Sequence, residues 1–306
     1  MPKSTKTTLK SKHKKVVVFD LDETLGCFEE LGTLCTLIDE YHGGKQKSYS
    51  MFNDLLDLYP EFIRPQIITI LKYLLHKRKE HKCKYIMIYT NNQGERAWVE
   101  HIKAYFEKKL NSKIFEQIIS AFKVDGKIVE LHRTTHDKTV DDFFRCTKLP
   151  RDIEICFVDD LFHPRMEDDN VYYIHVKAYK HYIPSSILVD RFMKSHLIKN
   201  IKDKEEFKSF LLSNMKYNIM EKSKEEQDVD VIVSKKLLEH IKDFFEKDEN
   251  NNEEDSDGDG DGDGDDKTSQ PHHFDVTGKH KSFKKKNHSK NTNTTAHRNR
   301  TLKKKI

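Results

Sequence analysis

Two aspartates, Asp20 and Asp22, close the apolar run "VVVFDLDETLG" of residues 16–26. Carboxylates are costly to bury, so acids at the end of a buried strand call for charged partners or for a reaction. Cleaving a phosphate ester needs a nucleophile, a proton donor, cationic and hydrogen-bonding clamps, and a metal to offset charge. Asp20 can be a carboxylate nucleophile that passes through an aspartyl-phosphate. Asp22 lies two residues on and so shares Asp20's face in a strict strand. There it can protonate the leaving oxygen and then deprotonate the water that breaks the intermediate. A free aspartic acid titrates near ~3.9, so this role predicts a raised pKa at Asp22, from neighbouring carboxylates or from desolvation.

Further along the chain, "CKYIMIYT" ends at Thr90 and "IEICFVDD" at Asp159 and Asp160. Asp159 can join Asp20 and Asp22 on Mg²⁺, a hard cation that prefers oxygen ligands. Asp160 and Thr24 read as supporting groups, with Asp160 orienting a metal-bound water or a lysine. Thr90, with the amide of Asn91, can hold a phosphoryl oxygen. Lys138 precedes a helical pattern and can offset charge on the aspartyl group and the phosphate. Lys123, Lys127 and Lys148 remain rivals for that place. Arg133, His132, His136, His163 and Arg165 read as surface residues or structural hydrogen-bonders, and Trp98 as helix packing.

The elements that must carry these residues alternate. "KKVVVFD", "CKYIMIYT", "IEICFVDD" and "NVYYIHV" are short apolar runs suited to buried parallel strands. Between them, "RPQIITILKYLLHKRKEH" and "GERAWVEHIKAYFEKKL" carry apolar residues at helical spacing, and "KTVDDFFRCT" is a short helix. "IFEQIISAF" and "KIVEL" read as strands around the turn "KVDGK". This order predicts a three-layer α/β sandwich with a central parallel sheet. Residues 26–60 make a small flap or loop with short helices, and no interval leaves room for a large cap domain. In open α/β sheets, ligands bind at the carboxyl ends of strands, where Asp20, Thr90 and Asp159 all fall.

Charge divides the 306 residues differently. Residues 1–15 hold six lysines and no acid, 249–266 hold ten acids and no base, and 279–305 hold eleven Lys or Arg and no acid. Of the net +4, residues 16–248 carry −3, so the basic balance belongs to the ends. The expected organisation is a basic flexible arm at 1–14, the α/β domain at 15–200, a helical appendage at 201–247, and a disordered acidic-then-basic tail at 248–306. "DSDGDGDGDGDD" matches part of a calcium loop but lacks the flanking helices, and reads as an acidic linker. The basic stretches offer a possible contact to nucleic acid. Five cysteines without a CxxC pair fit reduced thiols inside a cell. No apolar stretch reaches the ~20 residues of a membrane span, and no hydrophobic segment follows the basic N-terminus as in a secretory signal. Cytoplasm and nucleus are not distinguished, nor is the oligomeric state.

The four motifs in order resemble those of the haloacid dehalogenase superfamily of phosphohydrolases. They are Asp20-Leu21-Asp22-Glu23-Thr24, "YIMIYT", a lysine at a helix start, and "CFVDD". "DLDETL", "IRPQIITILKYL", "HDKTVDDFF" and "NVYYIHVKAY" are most similar to the NLI-interacting-factor-like branch, which dephosphorylates the C-terminal domain of RNA polymerase II. The resemblance covers about residues 15–200 and implies a Mg²⁺-dependent protein Ser/Thr phosphatase. "TNNQGER" departs from that branch, being similar to the "TNQ" of polynucleotide 3′-phosphatases, and the stretch from Lys138 to Asp159 is longer than the branch has. A polynucleotide 3′-end phosphatase is therefore a rival expectation. A non-catalytic binding module on the same fold is the other.

Overall fold

A computed structural model describes residues 15–45, 47–199, 201–215, 221–250 and 273–276. The chain begins with β1 (Lys15–Phe19), followed by α1 (Glu29–Tyr41), α2 (Lys47–Ser50), α3 (Phe52–Leu58) and α4 (Ile67–Lys79). Next come β2 (Cys83–Tyr89), α5 (Arg96–Leu110), β3 (Phe115–Ile119) and a hairpin of β4 (Lys123–Val124) and β5 (Lys127–Ile128). Then follow α6 (Val140–Thr147), β6 (Glu154–Asp159), β7 (Val171–Val176), α7 (Ser185–Lys194), α8 (Lys204–Asn214), α9 (Lys224–Asn250) and β8 (His273–Val276).

The predicted sandwich is present. Six parallel strands lie in the order β3-β2-β1-β6-β7-β8. Alternate side chains sort to opposite faces, as the pleat requires. Val17, Phe19, Ile86, Ile88, Cys156 and Val158 pack with the helices of one layer. Val16, Val18, Met87, Tyr89, Ile155 and Phe157 pack against Val140, Phe143 and Phe144 of α6 on the other. Both faces are covered, so the middles of β1 and β6 are apolar, and β1 is buried at every position.

The order also reveals a switch point. From β1 the chain winds outward through β2 and β3, then returns by α6 to place β6 on β1's other side. The crevice between the carboxyl ends of β1 and β6 is where an open α/β sheet binds its ligand. Asp20 and Asp159 close those two strands, and the Asp20 amide donates to the Val158 carbonyl at 2.9 Å. At the turn "KVDGK", Asp125 and Gly126 both have positive φ, which a two-residue hairpin turn demands. The paired strands beside it are only two residues each, and β3 joins the main sheet instead.

The helices expected within 201–247 pack directly on the core: Val233, Leu237, Ile241, Phe244 and Phe245 of α9, with Phe207 and Leu211 of α8, belong to the main hydrophobic cluster. The stripe on α9 recurs at helical spacing, and the Lys15 ammonium donates to the Phe244 carbonyl at 2.6 Å. The tail was expected to carry no regular structure from 248 on, yet α9 runs to Asn250 and residues 273–276 extend the sheet beside β7. Phe274 stacks on Tyr172 with ring centroids 4.6 Å apart, and Val276 is buried. The arm 1–14, the Asp-Gly run and the rest of the tail lie outside the described residues. The five cysteines are free and buried, and no helix among the described residues is long and apolar enough to cross a membrane.

The flap is helical, and it buries one unpaired acid. Glu30 of α1 is 1% exposed, and its carboxylate accepts from the Ile183 amide at 2.8 Å. Burial pushes this carboxyl from 4.5 up to about 7. A raised acid pKa means that the folded state holds a proton the unfolded chain has already released. Stability therefore falls as pH climbs through that window. Urea unfolding between pH 5 and 8.5 is expected to show this decline in the wild type and a flatter profile in Glu30→Gln. The variant should be the more stable protein at pH 8.5 by about 1–2 kcal/mol, which is ~1.4 kcal/mol per pKa unit discounted for water access.

Candidate functional site: a carboxylate cluster at the switch point

The site is organised around one buried ammonium. Thr139, in extended backbone, caps α6 by accepting the Asp142 amide at 3.0 Å, and Asp141 and Asp142 occupy the positive first turn. Lys138 stands just before that cap and is 1% exposed. Its Nζ donates to Asp20 Oδ1 and, at 2.6 Å, to Asp159 Oδ2. Of the four candidate lysines, Lys138 is thus the one in the site, because only it precedes α6 at the carboxyl edge of the sheet.

Arg133 fixes the approach to Lys138. Its guanidinium, 2% exposed, donates to the carbonyls of Thr90 (3.2 Å), Ser120 (2.9 Å), His136 (2.9 Å) and Asp137 (3.1 Å). It also lies 4.9 Å from the centroid of the Tyr89 ring. It is a structural hydrogen-bonder, as expected, but a buried one that ties the ends of β2 and β3 to the loop before Lys138.

The first motif turns sharply after β1. Glu23 holds φ +58°, a strained value for a residue with a side chain. Its carbonyl accepts from the Arg64 guanidinium and, at 2.7 Å, from the Tyr179 amide; the Thr24 carbonyl accepts from Arg64 Nε. At Gly26 any Cβ would run into the Phe28 ring and the Phe62 carbonyl. The turn breaks the strand alternation that placed Asp22 beside Asp20. The carboxylates that gather within 4.8 Å of one another are Asp20, Asp159 and Asp160.

Asp22 is not in that group; Asp160 stands with Asp20 and Asp159, and these three carboxylates could hold a metal. Asp22 instead accepts from Asn92 Nδ2 at 2.7 Å and lines a cavity of about 690 Å³. Asp160 is held by Thr24, whose hydroxyl donates to its Oδ1 at 2.9 Å and accepts its amide at 3.1 Å. Thr90 is buried, and its Oγ1 accepts from the amide of Asn92 at 2.9 Å. Asn92 thus links Thr90 to Asp22, next to the Asn91 amide expected to hold a phosphoryl oxygen. His163 was set aside in the sequence, yet its Nε2 lies 3.4 Å from Asp159 Oδ2.

Protonation follows from these surroundings. Burial pushes the Asp20 carboxyl well up, against the pull of Lys138. Burial also acts on Asp159, but the Lys138 ammonium and His163 outweigh it and hold that carboxyl below its usual range. Lys138 loses some of its proton affinity to burial and regains more from its two carboxylates, so it stays charged. Asp22 is raised by burial, with the Asn92 hydrogen bond opposing, and Asp160 is raised to about 6 by burial and by Asp159. The donor set is all oxygen and all carboxylate, which fits a hard cation.

No protein-family model and no curated protein matches this chain. Fold and side-chain geometry therefore carry the functional argument.

Removing one partner of a buried ion cluster leaves uncompensated charge, at a cost of ~3–5 kcal/mol. Lys138→Met, unfolded by urea in EDTA at pH 7, is expected to lose about that much. A loss under ~1 kcal/mol, the scale of an exposed pair, would show that the ammonium is not what holds Asp20 and Asp159 together.

Proposed function

We propose that this chain is a Mg²⁺-dependent phosphomonoesterase of the haloacid dehalogenase type, acting on phosphoserine or phosphothreonine in proteins. One observation carries the reading: Asp20 is bound by a buried lysine at the switch point, while Asp22 sits outside that cluster in a second environment. A nucleophile must be ionised and a proton donor must hold its proton: Lys138, with a divalent cation, would oppose the burial that pushes Asp20 up, while burial beside Asn92 favours the proton on Asp22.

An Asp20 carboxylate oxygen attacks phosphorus and forms the aspartyl-phosphate as the bond to the leaving oxygen breaks. Asp22 gives its proton to that oxygen, releasing the alcohol. Water then attacks phosphorus and passes its proton to Asp22, which regenerates the Asp20 carboxylate and frees inorganic phosphate. Lys138 offsets charge on the phosphoryl oxygens. Thr90 accepts from the Asn92 amide, which leaves its hydroxyl proton for a phosphoryl oxygen. Mg²⁺ on Asp20, Asp159 and Asp160 would supply neutralisation of the phosphate. A phosphorylated side chain would approach through the cavity of about 690 Å³ that Asp22 and Asn92 line beside the helical flap. Five buried, unpaired thiols suit a reducing intracellular compartment.

Asp20→Asn is expected to lower turnover of p-nitrophenyl phosphate by at least ~10³-fold. Asp22→Asn should lose ~10²–10⁴-fold on a phosphoserine peptide, and less on p-nitrophenyl phosphate, whose leaving group needs no proton. EDTA should stop the wild type, and Mg²⁺ should restore it. Wild-type rates in Asp20→Asn would end the proposal.

A further inference from the structure

The cavity that opens off Asp22 has a one-sided lining. Asp22, Glu23, Glu29, Asp39, Glu40 and Glu95 contribute six carboxylates, and no lysine or arginine among the described residues lines it. Some of these acids are engaged: Asp39 accepts from the Ser48 amide at 2.8 Å and hydroxyl at 2.7 Å, and Glu23 lies 3.5 Å from Lys180. Glu29, Glu40 and Glu95 are exposed and make no ion pair among the described residues. The rings of Tyr49 and Trp98 line the same space, and aromatic faces attract cations. The acidity is felt there: burial together with Glu95 and Asp39 raises the Tyr49 phenol.

We propose that this cavity receives a positively charged flank of the substrate, so that the preferred substrate is a phosphoserine or phosphothreonine with Lys or Arg beside it. The inference rests on the phosphatase reading, because Asp22 is then the proton donor to the leaving oxygen. The chain on the leaving-group side of the phosphate must pass the cavity that Asp22 lines. About 690 Å³ holds one or two long side chains rather than a whole domain. A polynucleotide would bring phosphates toward these carboxylates, the opposite of what backbone binding requires.

The test compares kcat/KM of the full-length protein on two phosphoserine peptides that differ only in flanks, Lys/Arg against Asp/Glu, at 50 and 300 mM NaCl. A 3′-phosphorylated oligonucleotide and p-nitrophenyl phosphate run alongside. At 50 mM the basic peptide should be preferred by at least tenfold, and salt should shrink the ratio, because exposed charges are screened. Glu29→Gln/Glu40→Gln/Glu95→Gln, with folding checked by its melting temperature, should reduce the ratio at least threefold. The ratio is taken within each protein, so a general loss of activity cancels. Equal rates on the two peptides, or faster turnover of the oligonucleotide, would overturn this inference while p-nitrophenyl phosphate turnover left the phosphatase reading standing. No turnover of any ester would remove that reading, and this one with it.

Discussion

A single ammonium, Lys138 Nζ, lies between carboxylates that close the two strands flanking the switch point. Two buried aspartates this close would repel each other and lose their hydration. The lysine makes their burial tolerable, and burial in turn keeps the lysine's charge unscreened. Everything around it serves its position. The Thr139 cap starts α6 one residue later, and Arg133 clamps the carbonyls of the loop just before it. The Tyr89 and Phe157 rings lie 5.7 and 5.9 Å from the cation.

Arg64 performs the complementary task for the first motif. Its guanidinium gathers carbonyls from Glu23, Thr24 and Lys177, holding a turn that Glu23 adopts at a cost of ~1–3 kcal/mol. The result is a division of labour between two acids only two residues apart. Asp20 faces the lysine and the other carboxylates, whereas Asp22 faces Asn92 and the cavity. One carboxyl is thereby placed beside a cation and the other beside an amide, which gives the two groups different electrostatic surroundings.

The local patterns were legible because they depend on near neighbours. Apolar runs of strand length named β1, β2, β6 and β7, and the Asp-Gly turn named the hairpin. The acids appeared where the runs stop, which is why Asp20, Thr90 and Asp159 could be placed at one edge of one sheet. Strand geometry did not carry past the end of β1. Asp22 was assigned Asp20's face by a period of two, but β1 ends at Phe19 and the chain turns. Asp160 was given a minor role because nothing in the sequence ties it to Thr24, 136 residues away. Asn92 and Arg64 carry no signal in the sequence for the same reason. Polar residues in loops carry no period, and their roles come from partners distant in the chain.

The ends of the chain teach a similar lesson. Composition marked 248–306 as unable to build a core, yet His273–Val276 finds an edge at β7 and a ring at Tyr172. Short strands need a template, and a template is a tertiary object. By itself, then, the sequence determined the strands, the helices and the residue types at the carboxyl edge, because burial and periodicity act within a few residues. Only the tertiary structure decided which lysine enters the site, which three carboxylates meet and which way Asp22 points. Those outcomes depend on the switch in strand order and on buried guanidinium clamps that join segments far apart in the chain.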